Sequence, residues 1–215
     1  MKLKVYIPNL PQRTERRASI TEQFDGKDLF DINLVCPVPD KTASNSLWRT
    51  FCQIVQKEKK GGSEFFIFCE DDHIFTDAYS DAFLLDRIRE ADEMDADLLS
   101  GGVSWMRDSL QVREHLFWME RFTGMQFTVV FKRFYDKILA IEYDENKKYV
   151  TDSFLSILSD SIFVMHPYIS VQKEFGYSDV TEKNNKEGYV QSLFERTDKT
   201  LSILKKVRNH YGKSL

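Results

Sequence analysis

The chain has 215 residues, 42% of them hydrophobic, and a formal net charge of −4. This length and apolar content suit one domain with a packed core, and they exclude global disorder. The negative charge argues against a general nucleic-acid-binding protein, and no apolar stretch approaches the roughly 20 residues that span a bilayer. Three distant cysteines, Cys36, Cys52 and Cys69, predict buried thiols rather than disulfides. With no signal-peptide pattern at the N-terminus, we expect a cytoplasmic protein.

The first predicted strand covers residues 4–7, and two prolines end it. A helix is predicted over residues 12–24, with Arg13, Arg16 and Arg17 in its first turn. Arginines at the positive end of a helix dipole are unfavourable unless an anion docks there. A helix N-terminus after a strand is a good phosphate site, so Arg13 and Arg17 are candidate nucleotide contacts. A solvated arginine face is the alternative.

Residues 32–36 predict a second strand, with Asp40 just beyond its end. A helix follows residues 44–46, which are candidate N-caps, and residues 57–62 end it with positive charge and two glycines. Its apolar face contains Leu47, Phe51, Ile54 and Val55. The order strand, helix, strand, helix, strand is the alternation of a parallel sheet. We therefore predict an α/β fold of the Rossmann type, with a mixed, mostly parallel sheet flanked by helices.

The third predicted strand, residues 65–69, leads directly into Glu70, Asp71 and Asp72. An uninterrupted apolar run predicts a strand buried on both faces, and ligands bind beyond the carboxyl ends of such strands. Three adjacent carboxylates need a compensating cation, and a Mg²⁺-like ion takes one or two of them together with phosphate and water. Alternation along the chain predicts Glu70 and Asp72 on one side and Asp71 on the other. The alternative is an acidic turn that caps a following helix.

The remaining elements alternate less regularly. Helices are predicted over residues 77–92 and 133–141, and an apolar helix that ends at residue 158 is predicted after residues 149–153. Strands are predicted over residues 97–102, 125–131 and 162–167. Residues 105–122 are rich in Trp, Met and Arg without a clean period, so we predict a loop or short helices that cover a site. One domain is expected over residues 1–180, followed by a polar segment and an amphipathic helix over 181–215.

The C-terminal helix combines a basic composition with apolar positions. Leu201, Leu204 and Val207 form an i, i+3, i+6 stripe, and five basic residues follow Asp198, the last acid of the chain. A basic helix with one apolar face binds anionic lipid from the interface. We therefore expect a peripheral membrane contact through this helix. The alternative is a stripe that packs on the domain.

Several segments resemble glycosyltransferase family 25, the lipooligosaccharide-type galactosyltransferases, in matching order. The similar segments are residues 9–17, the acidic run at 70–72, residues 149–152, residues 167–172 and residues 178–180. The resemblance covers roughly residues 3–180. This chain departs from the family at Leu47, where a histidine is usual.

The resemblance implies a GT-A-like fold and an inverting transfer of a hexose from a nucleotide sugar. UDP-galactose or UDP-glucose is the implied donor, a glycan or lipid-linked glycan of a surface polysaccharide the acceptor, and Mn²⁺ or Mg²⁺ the cofactor. The predicted donor-binding residues are Asn9, Arg13, Arg17, Asp40, Glu70 and Asp71. The predicted metal ligands are Asp72 and Glu70, with His166 and Asp179 as candidates to complete the shell.

An inverting transferase needs a base that takes the proton of the acceptor hydroxyl. Asp152 is the first choice, because it follows a strand and opens a predicted helix, whose N-terminus should hold its pKa low enough for the carboxylate to stay ionised. A plain helix cap is the alternative for Asp152.

Three other classes of protein share parts of this pattern. A receiver domain would carry its acids after the first strand, and a metal-dependent nucleotidyltransferase would have a glycine-rich basic loop there, whereas this chain has Pro8-Asn9-Leu10-Pro11. A degenerate transferase that binds a nucleotide sugar without turnover is the non-enzymatic alternative.

Overall fold

The computed structural model of the chain describes residues 2–176 and 186–211. The strands are β1 (Leu3–Pro8), β2 (Phe30–Val35), β3 (Phe65–Phe68), β4 (His73–Phe75), β5 (Leu98–Ser100), β6 (Trp105–Arg113), β7 (Leu116–Thr123), β8 (Thr128–Phe131), β9 (Ile162–Met165) and β10 (Ser170–Gln172). The helices are α1 (Thr14–Phe24), α2 (Ala43–Gly61), α3 (Asp81–Asp92), α4 (Lys132–Leu139), α5 (Thr151–Leu158) and α6 (Tyr189–Tyr211). The predicted alternation of strands and helices before residue 70 is confirmed.

Eight strands form one sheet in the order β2-β1-β3-β8-β5-β9-β7-β6, and β4 and β10 form a separate antiparallel pair. β1 pairs in parallel with β2 and β3, and β5 pairs in parallel with β9. β8 and β7 run against their neighbours, so the other six strands of the sheet point the same way. The predicted α/β class with a mixed, mostly parallel sheet flanked by helices is confirmed.

β3 lies inside the sheet and is buried on both of its faces. Phe66 and Phe68 belong to the same core as Phe51 of α2, whereas Ile67 belongs to a second core with Ile20 of α1. All five side chains are fully buried. Because helices cover both faces, the strand needs an uninterrupted apolar run rather than alternation. This burial fixes where the acidic residues after β3 emerge from the sheet.

Both ends of α2 are set by side-chain and backbone conformation. The hydroxyl oxygen of Thr42 accepts a hydrogen bond from the backbone N–H of Asn45 at 3.2 Å, which satisfies one of the free donors of the first turn. Gly62 ends the helix in the left-handed conformation, with φ of 70°, and Lys59 and Lys60 lie in the negative last turn. The long helix thus holds one face of the sheet in a fixed position.

Residues 105–122 form the β6–β7 hairpin, so the prediction of a loop or short helices was wrong. The period-two signal is broken in two ways. Asp108 adopts a positive φ of 38°, and the pairing register shifts between Gln111 and Arg113. A register irregularity of this kind interrupts the alternation by which a strand is recognised. β6 is also the outer strand of the sheet, where exposed polar residues are common.

The predicted C-terminal helix is confirmed as α6, but its predicted membrane-facing stripe is wrong in two of three positions. Leu201 is fully buried and Leu204 packs against the core, whereas Val207 is exposed. The predicted domain boundary at residue 180 falls outside the described residues. Within the described part of the chain, no helix is long and apolar enough to cross a membrane.

The three cysteines are free thiols with different surroundings. Cys69 is buried and Cys52 half-buried, as predicted, but Cys36 is exposed. Cys36 follows β2, which is an edge strand of the sheet, so the core does not extend over it.

Candidate active site

The acidic residues Glu70, Asp71 and Asp72 occupy a tight turn between β3 and β4, which is called the acidic turn here. The backbone N–H of His73 donates to the carbonyl oxygen of Glu70 at 3.2 Å, which closes the turn. The predicted alternation of the three side chains was wrong because the chain turns instead of staying extended. Asp71 and Asp72 both contact Arg16, at 2.9 Å and 3.4 Å from its Nη1.

Residues that follow β1 hold Asp71. Because β1 and β3 are parallel neighbours, their carboxyl ends meet at the same edge of the sheet. The side-chain amide of Asn9 donates to Asp71 at 2.9 Å, and Arg13 lies 3.8 Å from the same oxygen. Asn9 and Arg13 were predicted to bind a donor, and the structure places both beside this carboxylate. Asp71 is buried, so these partners compensate a charge that water does not reach.

Arg16 is a site residue that the sequence prediction missed. In α1 it shares a buried stripe with Ile20 and Phe24, at positions i, i+4 and i+8. Arg17, which was chosen instead, is exposed. The signal was present in the sequence, because the helical period places Arg16 on the apolar face of α1.

Asp72 is only partly compensated. One carboxylate oxygen, Oδ2, contacts Arg16, while the other, Oδ1, is buried and has no hydrogen-bond partner in the described part of the chain. Burial raises the pKa of Asp72 to about 6, and the attraction of Arg16 opposes this shift. A buried carboxylate oxygen without a donor favours an additional cation or donor at this position.

Glu70 is held from the other side, by the segment before β8 and by β10. Its carboxylate accepts a hydrogen bond from the side-chain amide of Gln172 at 3.0 Å, and its backbone N–H donates to the carbonyl oxygen of Gln126 at 3.3 Å. Burial raises the pKa of Glu70 well above its ordinary value, and the charges of Asp72 and Asp152 raise it further. The interaction with Asp152 brings the predicted base into the electrostatic surroundings of the acidic turn.

Asp152 lies in the first turn of α5. Its carboxylate accepts hydrogen bonds from the backbone N–H of Gly124 at 3.0 Å and of Ser153 at 2.6 Å. Burial raises the pKa of Asp152 above its ordinary value and outweighs these donors, so the helix N-terminus does not lower it. A carboxylate with a raised pKa is the stronger base once it is ionised.

Residues 124–126 connect Asp152 to the acidic turn. Gly124 donates to Asp152, and two residues later the carbonyl oxygen of Gln126 accepts from Glu70. Gly124 has a φ of 104°, and a Cβ there would lie 2.9 Å from Oε1 of Gln126, so only glycine fits without strain. The fully buried amide of Gln126 donates to the carbonyl oxygen of Gly102 at 2.7 Å. Residues 124–126 thus contact both acidic groups through their backbone.

Of three further residues predicted to belong to the site, two have partners away from the acidic turn and one lies outside the described residues. Asp40 accepts hydrogen bonds from Arg49 at 3.1 Å and from Tyr143 at 2.7 Å. His166 contacts Asp198 of α6 at 3.1 Å through Nε2. Asp179 lies outside the described residues, as do the rest of residues 178–180 of the family resemblance.

The acidic turn fits a hard divalent ion that takes part of its shell from a ligand. Among residues 2–176 and 186–211, no three His, Cys, Asp or Glu side chains are grouped to hold a metal ion by themselves. A Mg²⁺-like ion needs one or two protein carboxylates and completes its shell with phosphate oxygens and water. The buried, unpartnered Oδ1 of Asp72 supports such an ion, and Glu70 is the second residue that could hold it.

Comparison with known proteins assigns a fold and no family. No protein-family model matches the sequence, and no curated protein matches it, so membership of glycosyltransferase family 25 stays a prediction. The fold is shared with A197 from STIV at a TM-score of 0.54 and 11% identity, over 80% of this chain and 86% of that chain.

Two more distant solved structures also superpose on the chain. UDP-glucose pyrophosphorylase complexed with UDP-glucose gives a TM-score of 0.48 at 9% identity, over 93% of this chain and 100% of that chain. A glycosyltransferase involved in the glycosylation of the major capsid of PBCV-1 gives 0.43 at 11% identity, over 78% of this chain and 94% of that chain. At these values neither structure assigns a ligand or an activity to this chain.

Proposed function

We propose that this chain is a metal-dependent, inverting glycosyltransferase that moves a hexose, galactose or glucose, from a nucleotide sugar to a glycan acceptor. The observation that carries the proposal is the acidic turn, where Asp72 has a buried carboxylate oxygen without a hydrogen-bond partner in the described part of the chain. The pKa values of Asp72 and of the neighbouring Glu70 are both raised. The resemblance of the surrounding segments to family 25 transferases names the reaction class. A GT-A-like assignment and a UDP-hexose donor are parts of this proposal.

The donor would bind with its diphosphate at the acidic turn. Asp72 and Glu70 would hold a Mn²⁺ or Mg²⁺ ion, which supplies charge stabilisation to the departing diphosphate. Arg13 and Arg16 bring positive charge to the same edge of the sheet, where β1 and β3 end. The amide of Gln172 orients the carboxylate of Glu70. These contacts fix the leaving group before any bond breaks.

Asp152 would act as the base on the acceptor. Its carboxylate takes the proton of the acceptor hydroxyl while the hydroxyl oxygen bonds to the anomeric carbon and the bond to the diphosphate breaks. Gly124 and Ser153 hold the carboxylate in one orientation. The carboxylate is partly buried, which limits the access of water and favours transfer to an acceptor over hydrolysis of the donor.

A binding experiment with the Asp72→Asn variant tests the proposal. Nucleotide sugars added to the wild-type protein with Mn²⁺ should raise its melting temperature, because a ligand that binds the folded state stabilises it. Asp72→Asn removes the negative charge that the metal needs, so the Mn²⁺-dependent part of the shift should disappear. Asp77→Asn, at an exposed aspartate five residues along the chain, is the matched control.

The same panel, run together with assays of donor hydrolysis and transfer, distinguishes the alternatives. Shifts that are equal in wild type and Asp72→Asn would overturn the assignment of the acidic turn. A shift with nucleotide sugar but no hydrolysis or transfer by the wild-type protein would identify a binding protein without turnover.

A further inference from the structure

The last turns of α6 extend beyond the part of the helix that packs on the domain. The helix is buried along Val190, Phe194, Thr197 and Leu201, at spacings of four, three and four residues. From residue 206 to residue 211, every side chain is exposed. The end of the helix therefore makes no buried packing contact that would require apolar side chains.

Exposed apolar side chains are nevertheless present along the last turns of the helix. Ile203, Val207 and Tyr211 are 50%, 47% and 67% exposed. Their spacing of four residues places them on one face of the helix, which is called the outer stripe here. A helix surface in contact with water is normally polar, so the outer stripe indicates a partner that covers it.

The charge around the outer stripe limits what the partner can be. No acidic residue follows Asp198, and the sequence after it contains Lys199, Lys205, Lys206, Arg208 and Lys213, in a chain whose net charge is −4. Lys199 lies one turn before Ile203, and Lys206 directly precedes Val207. Both lysines are exposed. An apolar stripe with cations beside it is complementary to a surface that has an apolar interior and anionic groups above it.

We infer that the end of α6 docks on an anionic lipid surface, with Ile203, Val207 and Tyr211 in the interface and the basic side chains at the headgroups. Lysine and arginine can keep their charges at the headgroups while their alkyl chains lie along apolar surface. Tyrosine is favoured at this depth because its ring is apolar and its hydroxyl is polar. This inference goes beyond the proposed function and does not depend on it.

A second copy of the chain fits the same face less well. A symmetric contact brings the same surface patch of two copies together. The lysines beside the outer stripe would then face lysines, which like-charge repulsion disfavours. The charge pattern thus favours the lipid surface over a homodimer.

Co-sedimentation of the full-length protein with lipid vesicles tests the inference. The protein should bind vesicles of phosphatidylcholine with phosphatidylserine, bind far less to phosphatidylcholine alone, and be released by high salt. Replacing Lys199, Lys206 and Arg208 by glutamine should lower the partition about 100-fold. Replacing Ile203, Val207 and Tyr211 by serine should lower it about tenfold or more, because the apolar contact is lost.

Matched control variants separate this surface from a general effect of composition. Leu110→Ser removes an apolar side chain that is 64% exposed on the β6–β7 hairpin. Replacing the exposed Lys60, Lys147 and Lys148 by glutamine removes the same number of charges elsewhere. Both controls should bind as wild type does, and all variants should keep the wild-type melting temperature.

Three results would overturn the inference. They are no binding to anionic vesicles, binding that the outer-stripe variants retain, and equal binding to neutral vesicles. Self-association of the wild-type protein in size-exclusion chromatography, lost in the Ile203, Val207 and Tyr211 variant, would show that a second copy covers the stripe instead.

Discussion

The three carboxylates of the acidic turn are adjacent in sequence but unequal in their surroundings. Asp71 is contacted by Asn9, Arg13 and Arg16, so its charge is compensated within the protein. Glu70 receives a side-chain hydrogen bond from a neutral amide. Asp72 keeps one buried oxygen without a partner. The demand for an external cation therefore rests on Asp72 and Glu70, whereas Asp71 holds the turn onto the end of β1.

Asp152→Asn tests the proposed base. The variant should bind the donor as wild type does and lose turnover by a factor on the order of 10² to 10⁴, because an amide cannot accept the proton. Since burial raises the pKa of Asp152, the transfer rate of the wild-type enzyme should fall as the pH falls through that raised pKa. Steady-state transfer assays across pH provide the measurement.

Asp160→Asn is the control, because Asp160 is exposed just after the same helix. Nearly normal transfer by Asp152→Asn would move the role to another acid, and Asp179 is the next candidate.

At the residue scale, the sequence could predict that the three carboxylates follow a buried strand, but not the turn they form or how their charges are compensated. The apolar run of residues 65–69 required a buried strand, and that placed the carboxylates at its end. Arg16 and Arg17 look equivalent by composition, and the difference between them depends on which face of α1 packs against the sheet. The shared contact of Arg16 with Asp71 and Asp72 requires a turn that alternation does not predict.

At the scale of elements, sequence patterns predicted those strands and helices whose formation depends on local interactions. The third strand had a continuous apolar run, the long helix α2 had one apolar face and recognisable ends, and both formed as predicted. The β6–β7 hairpin was not predicted, because a register shift and a residue with positive φ interrupt the two-residue alternation of its side chains. The short pair of β4 and β10 joins segments almost 100 residues apart. Such pairing depends on tertiary contacts rather than on local propensity.

The helix α6 provides a test of how its two faces differ. Leu201 is fully buried in the main core, whereas Ile203, two residues later, is half exposed. Leu201→Ala should lower the free energy of unfolding by about 2–5 kcal/mol, because it removes buried methyl groups and leaves a cavity. Ile203→Ala should change it by about 0.5 kcal/mol or less. Urea unfolding of both variants measures the difference.

Equal effects of the two substitutions would contradict the packing of α6. A large effect of Leu201→Ala in a single cooperative transition would mean that α6 unfolds together with the rest of the chain.

At the scale of the whole molecule, two cores on opposite faces stabilise one sheet, and the acidic groups lie at its edge. Core residues of α2, α4, α5 and α6 belong to one cluster, and those of α1 and α3 to the other. The reversed strands β7 and β8 could not be predicted from sequence, because strand direction in a sheet depends on distant partners. The carboxyl edge that carries the site was predictable, since β1 and β3 are parallel there.

The pH dependence of the free energy of unfolding should reveal the electrostatic cost of the Asp72 carboxylate at this edge of the sheet. The pKa of Asp72 is about 6 in the folded protein, against an ordinary value of 3.8. Below 3.8 the carboxyl is protonated in both states and contributes nothing. As the pH rises to about 6, the unfolded chain releases the proton more readily than the folded protein does, so folding becomes less favourable. Above 6 the full penalty applies, about 3 kcal/mol.

Asp72→Asn should therefore stabilise the protein at ~pH 8 relative to wild type by more than it does at ~pH 4, and the difference should approach about 3 kcal/mol. Urea unfolding in the presence of a chelator measures this, because the chelator keeps cations from compensating the charge. Asp77→Asn, at an exposed aspartate, should show no pH-dependent gain. A gain in stability for Asp72→Asn that is the same at both pH values would mean that folding does not raise the pKa of this carboxylate. Adding Mn²⁺ in place of the chelator should stabilise wild type and leave Asp72→Asn unchanged, since a cation at the acidic turn relieves the same charge that the substitution removes.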